Sequence, residues 1–472
     1  MLVKDIKRRL LFVSAILFLV YLVALLFDSE ITSEQESLLF APAPTAPTQS
    51  DLGIVDFGLP EDEEENKVPI ATPNVLDVPA APTPGQGDGD AIDLSALAGL
   101  NDAEQPVSHQ EVFSLSTKDT KFFIIDFGDV KIINPNILPH PTLDDTWIVV
   151  AQQIKDLSPF YYEVSCNAVF QDDVLRCLQP PTPLAVAATA GERCEGELAF
   201  INTMAGPHDA RVFFGPTNPY MVYGSNSIFT CLGQFIQDFR MLVQWDSDTS
   251  VPTDFRIGTE LQRPLPWSIM EKNWFPFWDA TGEMYIHYDI APKRVFSAIN
   301  LDGSAGPDLA PFAEASDEKC LSRYLPQLAS EQESIHQATN SLQITMCRKT
   351  DESCVPDEAN TFIFTIIQHK KYYDFHGVYE PYVGIFQQRS PFEIYAISQR
   401  PIWIHGRELH LDQKTSDMFY VTSMSWKNRN QKYHGYLDDE LFLAFGIEDE
   451  KAGGIDVSAW DLLQNLGLCA EF

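Results

Sequence analysis

The sequence predicts an all-β fold, a five-bladed β-propeller, carried behind one N-terminal transmembrane helix and a disordered acidic, proline-rich stalk. Three observations support this expectation. Five β-rich runs recur, each behind a loop of turn residues: Thr146–Ala151, Tyr220–Tyr223, Met284–Tyr288, Thr361–Thr365 and Met418–Thr422. Their starts fall about 60 to 80 residues apart, room for four strands and their loops. Two packed sandwiches also give short strands, but not one regular period. Sustained helical periodicity is scarce between the runs, with Ser330–Glu333 and Asp461–Leu466 the main candidates. Composition also breaks sharply near residue 112, from acidic and Pro/Ala/Gly-rich to globular and β-rich.

Taken in order, residues 1–9 read as a cytosolic tail with Lys4, Lys7, Arg8 and Arg9. Residues 10–27, LLFVSAILFLVYLVALLF, are almost all apolar. At about 1.5 Å per residue they nearly cross a bilayer core of roughly 30 Å. The basic residues precede the run and Asp28 and Glu30 follow it, which predicts a type II anchor with the bulk of the chain in the lumen of the Golgi or secretory pathway. A cleaved signal peptide is the alternative, but its apolar region would be long and no small-x-small site follows.

Residues 28–112 read as the stalk, with Glu61–Glu65 its densest acidic run; such a segment cannot bury enough apolar surface to offset chain entropy. Residues 113–472 are then the lumenal propeller. The whole chain carries 67 acids against 32 bases, a net charge of −35, which argues against nucleic acid as a partner. Eight cysteines, all distal, suit disulfides in an oxidising lumen. Cys166 with Cys177 and Cys347 with Cys354 are close enough to staple local hairpins. No CxxC pair suggests structural zinc, and no N-glycosylation sequon occurs.

In a propeller the innermost strand of each blade precedes the second. Upstream of the five runs stand five polar sets: Asn134-Pro135 to His140, His208-Asp209-Ala210-Arg211, Glu271-Lys272-Asn273-Trp274, His336 to Asn340, and His405-Gly406-Arg407. Polar groups heading apolar strands are costly to bury without partners. Five sets meeting on one axis make a pocket rich in carboxylate, imidazole and cations. Singly, each set is more often structural, as a satisfied core histidine or an ion pair.

At these residues the chain resembles the five-bladed propeller glycosidases, β-mannoside phosphorylases and fungal-type β-mannosyltransferases. Those carry a Glu-Asp-Pro-Arg motif at a blade head; Gly206–Arg211 matches its Asp and Arg, with His208 and Ala210 at the other two places. Gly435-Tyr436-Leu437-Asp438-Asp439 is similar to their closing blade, and the anchored layout is similar to fungal Golgi glycosyltransferases. The resemblance implies a glycosyltransferase using a nucleotide sugar on a glycan acceptor, mannosyl transfer being one form. A glycoside hydrolase or phosphorylase, and a non-catalytic glycan- or protein-binding propeller, are the alternatives.

Sugar transfer needs a carboxylate to move a proton, and often a second group opposite. The candidates are Asp209 as general acid or base, with Glu271 or Asp289 second. Arg211, Lys272 and Arg407 are candidates for a phosphate-bearing leaving group. His140, His208, Asn273, His336, Asn340, Glu380, His405 and Asp438 complete the candidate substrate contacts. Trp267, Trp274, Trp278, Tyr379 and Trp403 are either stacking faces for sugar rings or core. No cofactor is expected; Asp246 and Asp248, two apart after an apolar run, are the alternative site for Mn²⁺ or Mg²⁺.

Overall fold

Short apolar and β-branched runs between turn loops fold into antiparallel meanders, because each strand finds a partner one tight connection away. The computed structural model describes residues 109–155, 158–245, 254–330, 332–373, 376–410 and 415–469. The expected tail and anchor, the stalk up to residue 108, and Asp246 and Asp248 lie outside these residues. Among the described residues no helix is long and apolar enough to cross a membrane. The described residues all fall within one compact unit.

Nearly all regular structure is β. Among the described residues the strands group into five antiparallel meanders. The first runs through Ile132–Pro139, Trp147–Gln153, Tyr162–Gln171 and Val174–Cys177. The second uses His208–Phe214, Pro219–Asn226, Leu232–Asp238 and Thr259–Glu260. The third is Phe275–Trp278, Met284–Asp289 and Val295–Ala298. The fourth is Leu342–Thr345, Thr361–Tyr373, His376–Gln387 and Ile394–Ser398, with Ser334–Gln337 on the far half of the long second strand. The fifth is Phe419–Trp426, Glu440–Ile447 and Lys451–Ser458. Phe123–Asp126 then pairs with Lys451–Ser458 on one side and, in parallel, with Val174–Cys177 on the other, joining the fifth meander to the first.

Four of the five repeated runs are second strands, as the period requires. The fifth is not. Met418–Thr422 falls at the start of the first strand of its meander, and the second strand is Glu440–Ile447. Phe123 and Ile124 meet the last strand of the fifth meander at Gly454 and Gly453. Gly453 and Gly454 sit there because a Cβ would run into Phe445 and Phe123.

The first strands are tied to one another by buried amides and hydroxyls. Asn136 donates to Ala210 O (3.0 Å) and accepts from Val212 N (3.0 Å). Asn340 does the same with Met424, 3.0 Å each way. Thr422 donates to Pro135 O. From the third strand of the second meander, Gln234 donates to Glu271 O, in the segment leading into the third meander, at 3.2 Å. Such fully paired polar groups fix register between sheets that otherwise share only apolar surface.

The cysteines form four disulfides: the two expected local pairs, plus Cys194–Cys231 and Cys320–Cys469. Cys320 lies on a helix, Glu314–Tyr324, that the sequence conceals because only Asp317 and Cys320 of its residues are buried. Of the expected helices, the distal one is a single turn, Ala459–Leu462; in the other, Ser330 is a bend, Gln332 a turn and Glu333 irregular.

Candidate functional site

The site is built from a repeated backbone device. Asn134, Asp209 and Asn273 head the first strands of three meanders, and each has positive φ (55°, 51° and 61°). Left-handed backbone costs a non-glycine residue about 1–2 kcal/mol, and Asn and Asp bear it best. At Asn134 and Asp209 the pairing with the second strand also slips, between Ile133 and Asn136 and between His208 and Arg211. The slip turns these side chains out of the ladder and toward the next meander.

They meet. Asn134 donates to the Asp209 carboxylate at 2.7 Å. Lys272 stands 3.8 Å from the other carboxylate oxygen, and both side chains are close to half exposed, at 49% and 41%. Two groups of the first meander hold the Asp209 peptide: Gln152 accepts from Asp209 N (2.8 Å) and Glu163 from Ala210 N (3.1 Å). Arg211 turns back to Asp209 O (2.9 Å) and reaches the Tyr420 hydroxyl of the fifth meander (3.3 Å). That hydroxyl donates to Asn273 of the third meander (3.2 Å). The Tyr420 ring stacks on His336 (6.2 Å between centroids) and meets Tyr379 edge-on (4.8 Å), both from the fourth meander. Lys370 lies over Tyr379, 5.5 Å from its centroid. His208 packs on Tyr161 and lines a small pocket with Asp209, Arg211, Lys272 and Asn273. All five meanders thus contribute to one cluster around Asp209.

The electrostatics sort the titratable groups. Burial pushes the Glu163 carboxyl up to about 8, with Asp209 adding to the rise, so Glu163 is a neutral acid at pH 7. Burial, then Lys370 and Arg211, lowers His336 to about 4, leaving a neutral imidazole. Its Nε2 is buried without a hydrogen-bond partner. Burial also lowers His208. Asp449, in the turn after Glu440–Ile447, is raised by burial and by Asp209 and Glu448, against Lys370. It is a second carboxylate within electrostatic reach of Asp209.

Several candidates lie elsewhere. Glu271 is buried against Arg263 (2.9 Å) and accepts from Ser268 N (2.6 Å); Asp289 pairs with the same arginine. These two carboxylates neutralise a buried cation and do not join Asp209. His140, at the far end of its strand, accepts from Thr142 N and Leu143 N and caps a turn. The Asn340 amide is spent on Met424. Glu380 sits, mostly covered, between His109 (2.6 Å) and Arg407 (3.5 Å); desolvation opposes its charge, but Arg407 and His109 together hold it low. Arg407 is also bonded to Ser416. His405 pairs with Glu111 (2.7 Å). Asp438 caps Lys349 N and Thr350 N. Trp274, Trp278 and Trp403 are core. Among the described residues no group of three His, Cys, Asp or Glu could hold a metal.

Tyr420, Lys370, Glu163 and Asp449 were not legible as site residues. With the fifth run mistaken for a second strand, the set expected ahead of it was His405–Arg407, whereas Tyr420 itself heads the inner strand. Lys370 and Asp449 arrive from the far end of a long strand and from a turn.

No described protein family matches the sequence, and no curated protein matches it. Among solved structures the chain is similar to a β-1,2-mannobiose phosphorylase from Listeria innocua (9% identity, 75% of this chain and 96% of that one, TM-score 0.40). It is also similar to MPT-1, a GDP-Man-dependent mannosyltransferase from Leishmania mexicana (10%, 71% and 89%, TM-score 0.40). A third is an endo-arabinase from Bacteroides thetaiotaomicron (8%, 71% and 96%, TM-score 0.37). The resemblance drawn from the sequence is to enzymes of the same kinds.

Proposed function

We propose that this protein is a carbohydrate-active enzyme that transfers a glycosyl group at the Asp209 cluster, with a nucleotide sugar as donor and a glycan as acceptor. On this reading the five meanders are the five blades of a propeller, and their inner ends share its funnel. One observation carries it: a half-exposed carboxylate has a lysine of the next meander 3.8 Å away, and Lys370 of the fourth meander lies over Tyr379, which packs on Tyr420 beside it, among neutral hydrogen-bonding groups. Glycosyl transfer asks for a proton acceptor at the incoming hydroxyl and positive charge at the departing phosphate. Asp209 fills the first role. Lys272 and Lys370, with Arg211 behind them, fill the second. Asp449 takes the place of Glu271 and Asp289 as the second carboxylate, its raised affinity for protons suiting a donor. Neutral His336, with a free ring nitrogen, suits a sugar hydroxyl.

The lysines supply charge without a metal, so turnover independent of Mn²⁺ and Mg²⁺ goes with this reading. Four disulfides fit an oxidising lumen, and the apolar run at 10–27 fits a type II anchor in the Golgi or secretory pathway. Phosphorolysis is the second reading, since the same cations suit inorganic phosphate.

The test is turnover by the full chain of GDP-mannose and other nucleotide sugars, with and without Mn²⁺, beside mannose 1-phosphate release from manno-oligosaccharides in phosphate. Metal-independent transfer abolished by Asp209→Asn supports the proposal. Release only with inorganic phosphate selects phosphorolysis. Ligand binding that Asp209→Asn leaves intact, with no turnover by either protein, marks a binding module.

A further inference from the structure

Beside the Asp209 pocket two loops run side by side. Thr230 Oγ1 donates to Ser268 O (2.6 Å) and Ile269 O (2.8 Å), and Cys231 N donates to Ile269 O (3.1 Å). The pairing turns Ile228, Leu265 and Ile269 outward, at 62%, 84% and 65% exposure. Behind them Phe229 and Trp267 stack face to face, 5.3 Å between centroids. Such a lip costs free energy in water, since each exposed aliphatic side chain forgoes about 1.5–3 kcal/mol of burial. The Cys194–Cys231 disulfide and a small apolar cluster with Leu232 and Met270 hold it from beneath. Leu232 also lines the pocket with Lys272, so lip and site share one rim.

We propose that this lip docks on a zwitterionic bilayer surface and presents the Asp209 site to lipid-borne sugars. The proposal rests on the glycosyl-transfer reading for its purpose, not for its geometry. Three features select the occupant. The exposed tips are aliphatic, and Trp267 has Phe229 stacked on one face with Trp274 tilted against it at 5.8 Å; sugars stack on open aromatic faces, which aliphatic tips do not offer, so a glycan is not matched. Protein-interface hot spots favour Trp, Tyr and Arg and under-represent Leu, and the tips are Ile and Leu. Exposed Glu192, Glu195 and Glu197 flank Arg193 in sequence, and the Arg193 Nε donates to Ile228 O, so the chain beside the lip is net acidic and an anionic membrane is disfavoured. Residues 10–27 are expected to place a bilayer within the tether's reach.

The experiment uses the full chain in phosphatidylcholine nanodiscs with and without bromine on the lipid tails. Residues 10–27 hold no tryptophan, so anchoring alone quenches none. The difference between wild type and Trp267→Phe isolates the Trp267 signal. Bromolipid is expected to quench that signal in the wild type, and the Ile228→Ser/Leu265→Ser/Ile269→Ser variant is expected to lose the quenching while melting at the wild-type temperature. Asp209→Asn is expected to quench as the wild type does, which separates docking from catalysis. Equal quenching in wild type and the triple variant, or none in either, overturns the proposal. So does cross-linking of an unquenched wild type into dimers through these loops, which assigns the lip to a second copy.

Discussion

Glu163→Gln isolates the buried acid behind the site. Glu163 is fully buried; one oxygen accepts from Ala210 N at 3.1 Å and the other has no partner. Its carboxyl is raised from 4.5 to about 8, first by burial and then by Asp209, against the Ala210 hydrogen bond and Arg211. Between those two values the folded chain keeps a proton that the unfolded chain has lost. Folding stability therefore falls as pH rises through this window, by about 1.4 kcal/mol per unit, or roughly 5 kcal/mol across it. Glutamine keeps the acceptor for Ala210 N and cannot ionise. Urea unfolding of the full chain at several pH values between 4 and 9 measures the difference. The variant's advantage is expected to be constant below pH 4.5, to grow up to about pH 8 and then to level off. A difference that stays flat over the whole range refutes the reasoning, because Glu163 would then ionise alike in both states.

The remaining predictions concern the division between site and scaffold. Asp209→Asn is expected to cut kcat by on the order of 10²–10⁴-fold with an unchanged melting temperature, the effect of losing a positioned acid or base. Lys272→Ala, at a half-exposed lysine, is expected to raise KM for the phosphate-bearing donor with little loss of stability, read by steady-state kinetics and a thermal melt. Arg263→Met leaves Glu271 buried without its cation; breaking such a pair costs about 3–5 kcal/mol, measured by urea unfolding. Activity per folded molecule of that variant is expected to hold, since neither Glu271 nor Asp289 joins the site; a loss of kcat without a loss of stability would return them to it. Removing Cys320 and Cys469 together opens a loop of 149 residues, and the loop-entropy relation puts its cost at about 5 kcal/mol.

The period of the β runs was readable because each meander repeats the same order of loop and strand, and a second strand buried on both faces is a continuous apolar run. Four of the five runs are second strands for that reason. The fifth misled because Phe419–Trp426 is buried along most of its length, so an inner strand carries the same pattern there. That shift sent the fifth polar set to His405 and Arg407 and hid Tyr420. Asp209, Arg211, Lys272, Asn273, His208 and His336 were legible as polar residues heading apolar strands. Glu271 and Asp289 had the same look, but a carboxylate's role depends on its partner, and Arg263 stands eight residues from one and 26 from the other. Lys370 and Asp449 carry no local mark. They enter the site only because a 13-residue strand and a two-strand turn reach over it.

The convergence of five meanders on one ligand site can be measured with one set of melts. The full chain is screened by thermal shift against nucleotide sugars and sugar phosphates, then again as Lys272→Ala, His336→Ala and Tyr420→Phe. A ligand that stabilises the wild type is expected to lose most of its shift in each of the three, although they lie on the third, fourth and fifth meanders. A shift that survives all three substitutions contradicts a shared funnel.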